Sequence, residues 1–169
     1  QVFQLYWDLG IRITEGFKGS INGNYLHIPE DVAKNRTARD VRIAPHQADT
    51  IHQLQSKYRE INCSKDHIKG YSDMFRKALR ECGIDSAKHF HCLRHSYALR
   101  RRIETNGNYQ QVADELGHKD VSVTLKYQRC DKKKLLDDFP SYKEILESLE
   151  NGMIKGVSTK NHSTKSYYT

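Results

Sequence analysis

The sequence predicts a mainly α-helical chain with one small antiparallel β-sheet, an α+β arrangement. Three observations carry that reading. Apolar residues recur at helical spacing over most of the chain. Only two short stretches, YLHIP at 25–29 and ARDVRIAP at 38–45, alternate apolar with polar as strands do. The 169 residues, 37% of them apolar, suffice for one core of ordinary size.

The opening VFQLYWDLG (2–10) predicts the end of a helix closed by Gly10. Residues 16–24, GFKGSINGN, read as a loop. The two alternating stretches predict a β-hairpin whose polar connection holds Lys34. Ile51, Leu54 and Tyr58 predict a helix over 46–60; Ile68, Tyr71, Phe75 and Leu79 predict another over 68–82, stopped by Gly83. A helix from Leu93 to Glu104 ends at Asn106-Gly107, and Tyr109 to Leu116 forms a shorter one before Gly117. Asp120 can cap a further short helix reaching Tyr127. Ser141 and Glu144 form a capping box after Pro140 for a helix through Glu150, with Tyr142, Ile145, Leu146 and Leu149 on one stripe. The end of the chain is Lys, Ser, Thr, Asn and Gly with little to bury, so the expected division is a domain over 1–150 and a flexible tail over 151–169. No internal repeat is visible.

Composition narrows the classes of function. The longest apolar runs fall far short of the ~20 residues of a membrane helix, which excludes a spanning protein. No charged-then-apolar leader opens the chain, so a cytoplasmic location is expected. Cys63, Cys82, Cys92 and Cys130 contain no CxxC pair and read as reduced thiols rather than zinc ligands or a disulfide scaffold. Twenty-eight Lys and Arg against 21 Asp and Glu give a net charge of +7 and a pI near 9.2. That balance fits a polyanionic partner.

The most informative stretch is His91-Cys92-Leu93-Arg94-His95. A His and an Arg three apart at a helix start share one face and can both reach one anion. His91 and His95 are four apart, but residue 92 is Cys where a zinc-protease helix has Glu, so no metal site is read there. Downstream lie Leu116-Gly117-His118 and, nine residues later, Tyr127; upstream lies Gly10-Ile11-Arg12-Ile13-Thr14-Glu15. Cleaving a phosphodiester without a metal needs cations at the phosphate oxygens, a nucleophile and an acid for the leaving oxygen. Arg12 and Arg94 can grip a phosphate and stay charged at physiological pH. A tyrosine hydroxyl, with a free pKa of about 10, becomes a competent nucleophile only beside such cations or a base.

The order Arg12, Lys34, HxLRH, LGH and Tyr127 resembles the catalytic domain of the tyrosine recombinases, the phage-integrase family. GIRITE resembles that family's first arginine box, and the likeness runs from Gly10 to Tyr127. It implies the tyrosine-recombinase catalytic-domain fold and a site-specific DNA recombinase or integrase. Such an enzyme cleaves and rejoins DNA through a 3′-phosphotyrosyl intermediate, with no metal, ATP or other cofactor. By the same resemblance Tyr127 is the nucleophile, Arg12 and Arg94 hold the phosphate, and Lys34 protonates the 5′ oxygen. His91 helps as base, His118 bonds a phosphate oxygen, and Glu15 supports a neighbour. The implied partners are double-stranded recombination sites, a homo-tetramer on DNA and an accessory bending or directionality factor, without a membrane. In the family a segment like 141–150 often packs on a neighbouring protomer. With few residues before Arg12 and Gln at position 1, the chain is expected to be an N-terminally truncated piece encoded by a mobile element. Resolvase or invertase activity, a type IB topoisomerase and a non-catalytic DNA-binding module are the alternatives; the context of HxLRH and LGH favours the recombinases.

Overall fold

The computed structural model describes residues 1–84, 88–120, 122 and 124. The element order is α1 (Val2–Leu9), α2 (Ile13–Lys18), β1 (Ser20–Asn22), β2 (Tyr25–Ile28), β3 (Arg39–Arg42), α3 (Pro45–Glu60), α4 (Lys65–Glu81), α5 (Cys92–Glu104) and α6 (Tyr109–Leu116). The chain divides into two compact units, 1–129 and 130–169, and all of these elements belong to the first. Tyr127, Cys130, the helix expected over 141–150 and the tail over 151–169 lie outside the described residues.

Helix α1 stops where expected. Gly10 takes the left-handed conformation (φ +62°, ψ +15°) and its N–H donates to the Tyr6 carbonyl. Only glycine serves well here, because a left-handed φ strains a residue with Cβ and a Cβ would also run into the Tyr97 ring. Two residues on, the Arg12 N–H donates to Glu15 Oε2 at 2.7 Å, which starts α2. Gln55 of α3, buried, donates to the Gly16 and Gly19 carbonyls at 3.2 and 2.8 Å and so closes the other end of α2.

The sheet has three strands in the order β1-β2-β3, all antiparallel. The hairpin of β2 and β3 is as expected, with Leu26 opposite Val41. The stretch 16–24 is not a loop: it holds the end of α2, the strand β1 and a two-residue turn, Gly23-Asn24, between the paired Asn22 and Tyr25. Gly23 has φ +56°, the first-position glycine that a tight hairpin turn requires.

Pro45 fixes the first turn of α3, and the Gln47 side chain accepts from the Ala44 N–H at 2.9 Å. Ser64 caps α4 through the Asp66 N–H. The main core gathers Leu5, Tyr6, Leu26, Ile28, Ile51 and Leu54, each at most 2% exposed. Each such aliphatic side chain contributes about 1.5–3 kcal/mol by burial. Phe3, Tyr6, Phe75 and Phe90 meet edge-to-face beside it, with ring centroids 4.8 to 6.0 Å apart. A smaller cluster of Ala98, Val112 and Leu116 joins α5 to α6. Arg100 joins α5 to α1: its guanidinium lies 3.8 Å from the centre of the Trp7 ring and donates to the Trp7 and Asp8 carbonyls. Among the described residues no helix is long and apolar enough to cross a membrane.

Candidate active site

Arg94 sits in the first turn of α5 and is 2% exposed. Its Nη1 donates to the Gly10 carbonyl at 2.8 Å and its Nη2 to the Leu116 carbonyl at 2.5 Å. Those carbonyls close α1 and α6, where helix dipoles concentrate negative charge, so they offset much of the cost of burying the guanidinium. The same contacts bring three distant segments to one point: the GIRITE stretch after α1, the start of α5 and the LGH turn after α6.

His118 completes that point. Its Nε2 lies 3.3 Å from Arg94 Nη2, and its Nδ1 lies 2.8 Å from Thr124 Oγ1. Arginine only donates, so Nε2 is the acceptor and the ring proton sits on Nδ1, facing the threonine hydroxyl. Partial burial, then the positive charges of Arg94, Arg12 and Arg39, bring the His118 pKa down to about 4. His91, just before α5, is exposed as a residue. Loss of water to the surrounding protein, then the charges of His95, Arg94 and Arg12, lower its pKa likewise to about 4. Both imidazoles are therefore neutral at pH 7 and able to accept a proton. The His91 and His95 rings stack edge-to-face at 4.8 Å. Among the described residues no group of three or more His, Cys, Asp or Glu is placed to hold a metal ion.

Arg12 joins them through its charge, which acts on both His91 and His118. Its Nη1 donates to Glu15 Oε1 at 2.8 Å, and Glu15 is fully buried. Arg39 of β3 grips the same carboxylate with both terminal nitrogens, Nη1 and Nη2, at 3.1 and 2.7 Å. Burial alone would raise the Glu15 pKa; the hydrogen bonds and charge of Arg39, with those of Arg12, outweigh it and hold the carboxyl below its usual range. Arg39 also packs against the LGH turn, where a Cβ on Gly117 would come within 3.0 Å of its guanidinium. With φ +66°, Gly117 is needed there for its backbone as well as its size.

Of the residues expected from the sequence, Arg12, His91, Arg94 and His118 therefore share one positive cluster. Lys34 lies in the connection between β2 and β3, exposed and not hydrogen-bonded to another described residue. Tyr127 is outside the described residues; ahead of it Asp120 Oδ1 accepts from the Ser122 N–H at 2.7 Å, the bond a helix cap makes. The motifs of the sequence do not single out Arg39. A signal was available, since strand alternation puts Arg39 on the same inward side as Val41.

Residues 22–134 match the phage integrase family, and the chain belongs to that family. The matched span contains Lys34, His91, Arg94, His118 and Tyr127; Arg12 precedes it. No curated protein sequence gives a significant match. Among solved structures the chain is similar to the XerH site-specific recombinase bound to its difH substrate in a pre-cleavage complex. The identity is 16% and the TM-score 0.55, over 85% of this chain and 45% of that one. It is also similar to the XerA recombinase, at 16% identity and a TM-score of 0.52, over 83% of this chain and 57% of that one. At that identity the likeness establishes the fold, that of a tyrosine-recombinase catalytic domain. The chain spans about half the length of those proteins.

Proposed function

We propose that this chain is the catalytic portion of a site-specific DNA recombinase that cleaves and rejoins duplex DNA without metal or ATP. The observation that carries the reading is the convergence of Arg12, His91, Arg94 and His118 on one positive cluster, within the family's order of residues. In this reading Arg12 and Arg94 neutralise the scissile phosphate and stabilise the charge that grows on it. The Tyr127 hydroxyl attacks phosphorus; the Oη–P bond forms, the P–O5′ bond breaks, and the 5′ oxygen takes a proton from Lys34. Neutral His91 accepts the tyrosine proton. His118 reaches a phosphate oxygen once its ring proton moves from Nδ1 to Nε2, which exchanges the Arg94 contact for one to substrate. The phosphotyrosyl ester conserves the bond energy, so a second 5′-hydroxyl can reverse the step and join a new strand.

The substrate class is double-stranded DNA with recombination sites, in keeping with the +7 charge. A tetramer of protomers on DNA, an accessory bending or directionality factor and action in the host cytoplasm belong to the same reading. So do the domain over 1–150, the flexible tail over 151–169 and the contact of segment 141–150 with a neighbouring protomer. Incubation of the full chain with a nicked duplex, which loses its 5′ strand on cleavage, tests the activity. A protein–DNA adduct that survives denaturation is expected; binding with no adduct would leave only a DNA-binding module.

A further inference from the structure

We infer that Asn35 is a positioning residue for the proton transfer assigned to Lys34: it ties the exposed lysine's loop to the turn that carries His118. The inference rests on the function proposed above and adds a residue to it.

Lys34 is exposed, yet both of its neighbours are anchored. Ala33, on one side, is 4% exposed in the main core, and its N–H donates to the Pro29 carbonyl at 2.9 Å. Asn35, on the other side, donates from Nδ2 to the Gly117 carbonyl at 2.8 Å, a contact between residues 82 apart in sequence. Adjacent Cα atoms are about 3.8 Å apart, and the asparagine side chain has only two rotatable bonds, so a bond at its tip fixes the backbone at 34 nearly as firmly as at 35. The receiving turn is itself braced. Gly117 abuts the Arg39 guanidinium, and Arg39 is held by the buried Glu15 that also holds Arg12. Asn35 thus links the lysine's loop to the frame that sets Arg12, Arg94 and His118. A loop fastened only by its strands would leave the ammonium to sample many positions, and general acid catalysis falls steeply when the donor leaves hydrogen-bonding reach.

The test separates positioning from plain stabilisation through the leaving group. Single-turnover cleavage is measured with the full chain on nicked duplexes whose 5′ bridging atom is oxygen or sulfur. A thiolate, with a pKa of about 8.5, departs without being protonated. Asn35→Ala is expected to cleave the oxygen substrate about ten- to a hundredfold more slowly at unchanged KM, and the sulfur substrate at the wild-type rate. Lys34→Ala should show the same pattern with a larger defect on oxygen. Asn35→Gln, which keeps the donor but displaces it, should show the oxygen-only defect in smaller measure and serves if the alanine variant fails to fold. An asparagine variant equally slow on both substrates, or normal on both, overturns the positioning role and leaves the proposed function intact. A Lys34→Ala variant that sulfur does not rescue removes the lysine as acid and this inference with it.

Discussion

Arg94 is the residue on which the site is built, and its burial explains why no other side chain would serve. A guanidinium can donate in two directions at once, here to the Gly10 and Leu116 carbonyls, while leaving an edge beside His118. An ammonium donates from one nitrogen only and cannot span these partners as the planar fork does. Arg94→Lys is therefore expected to keep the positive charge yet lower cleavage by about 10²–10³, seen as a slower single-turnover rate with DNA binding measured separately. The histidines make a second expectation. With folded pKa values near 4 against about 6.5 in an unfolded chain, His91 and His118 bind fewer protons in the folded state. Stability then falls as pH drops from about 6.5 toward 4 and is flat above that window. Glu15 acts in the same sense at lower pH: its depressed pKa stabilises the fold above the unfolded carboxylate value and that contribution fades as pH falls further. Melting temperature followed from pH 8 to 4 checks this, and His118→Gln should flatten part of the slope.

Among the elements, those whose ends carry a signal were legible and those defined by distant pairing were not. Gly10, Gly83, Asn106-Gly107 and Gly117 announce the ends of α1, α4, α5 and α6, and the structure puts positive φ at each of them. Strand β1 went unread because its three residues hold a single apolar position, too short a run to establish alternation, although Gly23-Asn24 is a hairpin signal. The HxLRH and LGH stretches named His91, Arg94 and His118, whereas the brace of Glu15 by Arg39 joins residues 24 apart across two elements. Nothing local could announce the hydrogen bond of Asn35 to Gly117. The end of α1 offers an expectation of its own. Gly10→Ala forces a Cβ into the Tyr97 ring at a left-handed position, a conformational cost of about 1–3 kcal/mol. It also shifts the carbonyl that holds Arg94. A melting temperature lower by several degrees, with slower cleavage, should result; an unchanged protein would mean that α1 can close another way.

Taken together, the described residues form a frame in which the segments around 10–15, 35–39, 91–95 and 116–118 meet although they are scattered through the chain. That convergence depends on tertiary folding rather than on any single motif, and it leaves a positive cluster built on two arginines with two neutral imidazoles. Its chemical sense depends on a nucleophile delivered to it, and the family's order assigns that part to Tyr127. Peptide mapping of the covalent protein–DNA adduct from a nicked duplex tests this most directly. The DNA-linked peptide should contain Tyr127, and Tyr127→Phe should bind DNA normally while forming no adduct; an adduct that persists in that variant, mapped to Tyr97 or Tyr109, would contradict it.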